Sequence, residues 1–174
     1  MSKIILKNRE ELGKLFELHK KTGLGAEIGV QTGYFSAKIA DFYTGFLFCI
    51  DLWGDESVYF EAQKLLSDKN KFKLYRADSL TMAEFVSDNT LDFVYIDANH
   101  YYKQVLADIE AWYPKVRSGG VISGHDYCTS DHDIEVVAAV NDWCAKNNYE
   151  VNVVCGEGDY FNGKPYPSWW IVKK

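Results

Sequence analysis

The chain has no excess of positive charge. Its net charge is −6 over 174 residues, so it lacks the broad basic field that phosphates require, and no nucleic-acid partner is expected. No apolar run approaches the length of a membrane span, and residues 1–20 lack the charged-then-apolar order of a secretory signal. No membrane partner and a cytoplasmic location are therefore expected. Cysteine is scarce: Cys49, Cys128, Cys144 and Cys155 form no CxxC pair, which argues against a zinc knuckle or a thioredoxin-like site. Reduced thiols fit best, with Cys49 as a small core residue in an apolar run. Internal repeats, low-complexity tracts and linkers are also absent. A composition of 47% hydrophobic and 25% charged residues excludes disorder. The length suits one domain, with an N-terminal helix in 1–22 and a core over 23–174. What is abundant is aromatic side chains, 16% of the chain. Tyr101, Tyr102, Tyr127, Trp169 and Trp170 fit either a core or a pocket wall.

The segment "NREELGKLFELHKK" has helical period. Leu12, Leu15, Phe16 and His19 share one face with Leu18 at its edge, Asn8 is placed to cap, and Glu11 stands three residues on. Apolar runs then alternate with helical patterns. Strands are predicted over 25–30, 46–52, 72–77, 92–97 and 120–124, and helices over 34–43, 56–67, 80–87, 101–113 and 133–147. Strands over 150–155 and 168–173 close the chain. Their connection carries glycines and prolines in place of a helix, which predicts an antiparallel pair at one side of the sheet. Near-continuous apolar strands predict a mostly parallel sheet covered on both faces. The expected fold is α/β: a Rossmann-like, doubly wound sheet of seven strands with an antiparallel last strand.

In such sheets ligands bind beyond the carboxyl ends of the strands, so the strand-end residues carry the functional reading. The first turn is E-I-G-V-Q-T-G. A dinucleotide loop needs GxGxxG, and Gln31 stands where its second glycine would be. Glu27 would repel a pyrophosphate and favour an ammonium group. Gly29 provides the turn, and Gly33 leads into a helix whose first amides suit an anion. Such a loop suits a ligand with an ammonium and a carboxylate; a tight turn with an exposed Glu is the plainer alternative. Asp51 follows Gly29 at close to the ~20-residue spacing of an acid that binds ribose hydroxyls, and Trp53 is placed to lie against the sugar or base. Asp78 and Ser79 suit either an adenine amino group or a helix N-cap. "SDHD" at 130–133 reads as a helix N-terminus in preference to metal ligands.

Taken together, "AEIGVQTG", "IDLW", "RADSL", "DFVYIDANHYY" and "PKVRSGGVISGHDY" resemble the motifs of class I S-adenosylmethionine-dependent methyltransferases, in order, over residues 25–174. Within them the chain is similar to the small metal-dependent O-methyltransferases and the related sugar- and antibiotic-tailoring group. The resemblance implies S-adenosylmethionine as cofactor, bound by Glu27, Gly29, Gly33, Asp51, Trp53, Asp78 and Ser79. It also implies Mg²⁺ or another divalent cation on Asp97, His125 and Asp126. His125 departs from the oxygen-only set of the catechol-type enzymes and leans toward a transition metal. Asp97 and His100 are the candidate catalytic residues, with His100 as base at a pKa suited to neutral pH. The implied reaction is O-methylation of a small-molecule hydroxyl, on a sugar, a phenol or a related compound, with homo-oligomers expected. A non-catalytic cofactor-binding or assembly domain is the alternative, because the chain is nearly the bare core. An NAD-dependent oxidoreductase lacks its pyrophosphate loop here.

Overall fold

A computed structural model describes residues 5–68, 70–129 and 134–174. A short 3₁₀ turn, Arg9–Glu11, runs into α1 (Leu12–Leu18). Then follow β1 (Leu24–Ile28), α2 (Tyr34–Ala40), β2 (Phe46–Asp51), α3 (Glu56–Leu65), β3 (Phe72–Arg76), α4 (Ser79–Glu84), β4 (Leu91–Ile96) and α5 (Tyr102–Trp112). After them come β5 (Val116–Gly124), α6 (Val136–Asn147), β6 (Asn152–Val154), the short β7 (Tyr160–Phe161) and β8 (Lys164–Pro165), and β9 (Ser168–Val172). The sheet order is β3-β2-β1-β4-β5-β9-β6. β9 runs antiparallel to both β5 and β6, and the other pairs are parallel. This is the expected doubly wound, seven-stranded arrangement. Strand order reverses between β1 and β4, where such folds place their ligands.

The layers follow from side-chain alternation along each strand. In β4, buried along its whole length, Val94 and Ile96 join the layer beneath α5 and α6 with Ile109, Trp112, Val140 and Trp143. Phe93 and Tyr95 join the opposite layer beneath α1 and α2 with Phe16, Phe35 and Ile39. The Phe93 and Phe16 rings stack at 3.8 Å. Helix α1 buries the predicted Leu12, Leu15 and Phe16, while Leu18 is exposed.

Several details differ from expectation. Asn8 does not cap: its Nδ2 donates to the Glu157 carbonyl at 3.1 Å, and Glu11 accepts from the Lys7 amide at 3.0 Å. β5 begins before the predicted residue 120 because its "RSGG" stretch, which reads as a turn, is a register irregularity between Leu91–Val116 and Phe93–Val121. The final connection carries a two-stranded ribbon, β7–β8, whose turn residues Asn162 and Gly163 both have positive φ, as a two-residue hairpin turn requires. The "SDHD" reading at 130–133 lies outside the described residues. All four thiols are free, with only Cys155 exposed. Among the described residues no helix is long and apolar enough to cross a membrane.

One buried acid ties the N-terminal segment to the sheet. Asp92, at the start of β4 and fully buried, accepts from the amides of Lys21, Thr22 and Gly23, from the Tyr43 hydroxyl and from Arg117 Nε. Burial pushes its pKa up. The Thr22 amide, the Arg117 guanidinium and the Gly23 and Lys21 amides outweigh this and hold it below the ordinary range. Asp92→Ala removes the acceptor of three amides and of the half-buried Arg117 guanidinium, and is expected to cost about 3 kcal/mol in urea unfolding at pH 7. Because the folded pKa is depressed, this contribution is complete above the unfolded carboxyl's pKa of about 3.9 and is lost as pH falls through the folded value. The gap between wild type and variant should therefore close in acid.

Candidate functional site

The residues at the carboxyl edge of the sheet divide between its two faces. On the α4–α5 face lies a cavity of about 620 Å³. Its walls are the β1–α2 turn, the ends of β2 and β3, the loop after β4, and one face of α5. The turn exists because Gly29 adopts φ +84° and carries no Cβ. A Cβ there would lie 2.0 Å from the Asp97 carbonyl oxygen. Gly29 N donates to Ile50 O at 2.9 Å and Asp97 N to Ile28 O at 2.7 Å, so the ends of β1, β2 and β4 are locked together.

Asp51 lines this cavity, with its carboxylate already engaged. Oδ2 accepts from the amides of Val30 and Gln31, each at 2.8 Å, and Oδ1 from the Trp53 amide at 2.7 Å. The acid expected at the ribose therefore also shapes the glycine turn. Asp78 lines the cavity as well, and is the N-cap of α4, accepting from the Thr81 amide at 3.0 Å. Ser79 Oγ donates to Asp108 Oδ1 at 2.5 Å and accepts from Trp112 Nε1 at 2.9 Å.

Three residues expected at the cofactor do not line this cavity. Trp53 is buried beneath the turn, donating from Nε1 to Gln31 O at 2.7 Å and packing on Tyr59. Gly33 has φ +84° and abuts Leu66, so it shapes the turn and makes no wall. Glu27 points away from the cavity, because alternation in β1 turns Ile28 toward it and Glu27 to the opposite face. There it is flanked in register by Cys49 and Tyr95 and is only 1% exposed. Ser36 Oγ donates to Glu27 Oε2, and burial pushes the carboxyl up to about 8.

On that second face a polar cluster gathers at the ends of β4 and β5. His100 Nε2 is 2.9 Å from Asp126 Oδ2 and 3.8 Å from Asp97 Oδ1. It is buried, yet aligned with neither carboxylate for an N–H hydrogen bond. One ligand atom each from Asp97, His100 and Asp126 lies within 4.8 Å of the others. Two oxygens and an imidazole nitrogen converging on one point is a donor set that fits a divalent cation. His100, expected as a base, thus stands with the candidate donor atoms. The carboxylate of Asp126 beside it, then that of Asp97, pushes it up to about 10 against burial, so at neutral pH the cation-free imidazole keeps its proton. His125 Nδ1 is 3.2 Å from Asp126 and 3.6 Å from Asp97. Burial lowers its pKa, but those two carboxylates win and raise it to about 9. Asp126 and Asp97 are both held low, since their histidine partners outweigh burial.

Arg9 belongs to this cluster and was not anticipated. Its Nη1 lies 3.0 Å from Nδ1 and 2.7 Å from Nε2 of His125. An atom that near both ring nitrogens stands over the ring rather than in line with one lone pair. The guanidinium carbon is 4.5 Å from the Phe35 centroid, and Nη1 is 3.8 Å from Asp97 Oδ2. The buried Asp159 anchors the Arg9 backbone by accepting from the amides of Arg9 at 3.2 Å and Gly156 at 2.8 Å. The only local hint was the surplus of strand-end carboxylates in search of a cation.

A methyltransferase-domain family profile matches residues 25–127. An uncharacterised protein of Sinorhizobium fredii is 26% identical over 98 residues, which is 51% of this chain and 11% of that protein, so the chain spans only a small part of its length. A precorrin-6y C5,15-methyltransferase from Geobacter metallireducens superposes with TM-score 0.71 at 16% identity, over 99% of this chain and 92% of that one. An O-methyltransferase from Bacillus cereus, solved with S-adenosylhomocysteine, superposes with TM-score 0.65 at 20% identity, over 93% and 80%.

The raised Glu27 carboxyl has a measurable consequence. Its folded pKa of about 8 exceeds the ordinary 4.5, so the folded chain holds an extra proton between those values. Glu27 then makes the ligand-free protein less stable as pH rises through that window. Thermal melts at pH 5 and pH 8 should show this decline in wild type and its reduction in Glu27→Gln.

Proposed function

This chain belongs to the methyltransferase-domain family and has the fold of class I S-adenosylmethionine-dependent methyltransferases, and from that premise we propose that it methylates a hydroxyl of a small molecule with the help of a divalent cation. One observation carries the reading: Asp97 belongs to both halves of the site. It lines the cavity and also contributes a carboxylate oxygen to the cluster with His100 and Asp126. A donor bound in the cavity and an acceptor held at the cluster would meet there.

S-adenosylmethionine supplies an electrophilic methyl group on a sulfonium centre. The chain's part is to place it. Gly29 admits the donor close to the backbone, Asp51 holds the turn rigid while presenting its carboxylate to the sugar, and the loop from Asp97 to Asn99 walls the methyl-bearing end. A divalent cation on Asp97, His100 and Asp126 would lower the pKa of an acceptor hydroxyl and fix its direction. Holding the two reactants in line accounts for much of the acceleration in a transfer of this kind. Proton removal falls to the cluster's own groups: His125 Nδ1, 3.2 Å from Asp126 and 3.6 Å from Asp97, is charged near neutral pH in the cation-free cluster, and a cation on the carboxylates would lower its pKa and free it to accept a proton.

A second reading, a cofactor-binding module without turnover, is favoured by Arg9, which covers the cluster on the side of His125. Assays of methyl transfer to phenols and sugars separate the two. Turnover is expected with Mn²⁺ or Mg²⁺, with loss in chelator, and Asp126→Ala should lower kcat/KM by at least ~10–100-fold while leaving S-adenosylhomocysteine binding intact. Turnover indifferent to chelator and to Asp126→Ala removes the cation. Donor binding with no turnover on any acceptor supports the module.

A further inference from the structure

The chain has three arginines, and two of them are paired in the ordinary way. Arg117 Nε donates to Asp92 at 2.7 Å, and Arg76 Nη1 donates to Glu56. Arg9 has no hydrogen-bonded carboxylate on its side chain among the described residues. That side chain is only 19% exposed, and its ion pair, to Asp97 Oδ2 at 3.8 Å, lies outside hydrogen-bond reach. The contact of Nη1 with His125 supplies no negative charge, since an imidazole is neutral or positive. Asp159 spends its carboxylate on the backbone amides of Arg9 and Gly156. Nε and Nη2 have no partner among the described residues, and neither is a buried unpaired atom, so both keep access to solvent. A permanently charged group largely withdrawn from water and short of an anion is costly until one arrives.

A cation in the cluster deepens the shortage. Asp97 turns Oδ1 toward His100 and Oδ2 toward His125 and Arg9. A divalent ion on Asp97, His100 and Asp126 would therefore draw on the one carboxylate within ion-pair distance of Arg9. The two carboxylates balance the ion, and Arg9 leaves one positive charge over. The imidazoles can only add to it, and Glu27 is protonated up to about pH 8. One negative charge on the acceptor answers this surplus. A carboxylate matches both the count and the side-on fork of Nε and Nη2, where a phosphate ester at close to two charges would overshoot. The methyl donor's own carboxylate is another source of that charge, but Arg9 is not in the wall of the donor cavity, which opens on the other face of the sheet.

We propose that Arg9 is the specificity-determining residue for the acceptor, holding through Nε and Nη2 a carboxylate on the same molecule whose hydroxyl is methylated, so that the substrate class is the hydroxy acids. The proposal rests on the reading that the cluster holds the acceptor beside the methyl donor. Titration calorimetry of the full chain, with Mn²⁺ and S-adenosylhomocysteine present, tests it on two matched pairs of probes: 3,4-dihydroxybenzoate against its amide, and glucuronate against glucuronamide. Wild type should prefer the acid of at least one pair on the order of 10- to 100-fold, as expected for hydrogen bonds between charged groups. Arg9→Gln should bind acid and amide about equally, and Arg9→Lys, which keeps the charge without the fork, should retain part of the preference. A merely structural role would weaken both members of a pair alike. S-adenosylhomocysteine affinity should not change in Arg9→Gln, because the backbone anchor to Asp159 is kept. Wild type without an acid preference, Arg9→Gln that keeps it, or Arg9→Gln whose only loss is in S-adenosylhomocysteine affinity overturns the assignment and leaves the methyl-donor reading standing. Wild type that binds neither S-adenosylhomocysteine nor any probe overturns both.

Discussion

The approach of Gly29 to the Asp97 carbonyl sets the geometry of everything around it. A Cβ at Gly29 would lie 2.0 Å from that oxygen, so any side chain would drive the ends of β1 and β4 apart. With none, the chain leaves β1 in a left-handed turn, its amide bonded to β2 and the Asp97 amide bonded to β1. Three strands end in one plane at the place where strand order reverses. The cavity opens on one face of that plane and the polar cluster gathers on the other. Asp97, the residue whose backbone closes the contact, is also the one whose side chain joins them.

The two faces solve different electrostatic problems. In the cavity, Asp51 is satisfied by backbone amides, and so it stiffens the turn while remaining on the wall. Across the sheet, the half-buried Asp97 and the buried Asp126 lie near each other with the buried Glu27 behind them. Burial of like charges is unfavourable, and the structure answers with His100, His125 and the guanidinium of Arg9, while Glu27 stays protonated up to about pH 8. The cation-free cluster is thus held together by basic side chains, one of which, His100, also belongs to the candidate donor set. Asp159 and the connection before β9 keep Arg9 in that place, which makes this residue part of the site rather than of a peripheral helix start.

The architecture was largely legible because its signals are local and repeated. Five apolar runs, each followed by helical period, specify a covered parallel sheet, and the acids that end them mark its working edge. Direction was less legible. Glu27 and Ile28 are adjacent, and the two-residue period of a strand sends them to opposite faces. Which face holds the cavity depends on how the helices pack. Trp53 lies off the cavity wall for a similar reason: its backbone has positive φ (42°), and the ring is buried under the loop. Arg9 was hinted at only by the surplus of strand-end carboxylates, and Asp108 and Asp159 carried no signal. Each lies in a helix start, a helix interior or a turn where a charged residue ordinarily faces water, and only the tertiary fold brings them to the strand ends.

The central claim is that the cavity on the α4–α5 face is the methyl donor's site and that its reactive end lies at Asp97. A crystal structure of the chain grown with S-adenosylhomocysteine measures this most directly. The account requires the ligand to lie across Gly29 and Asp51, with its base toward α4 and α5 and its sulfur end toward Asp97. A ligand bound on the Arg9 face, or a cavity that stays empty at saturating ligand, would contradict it.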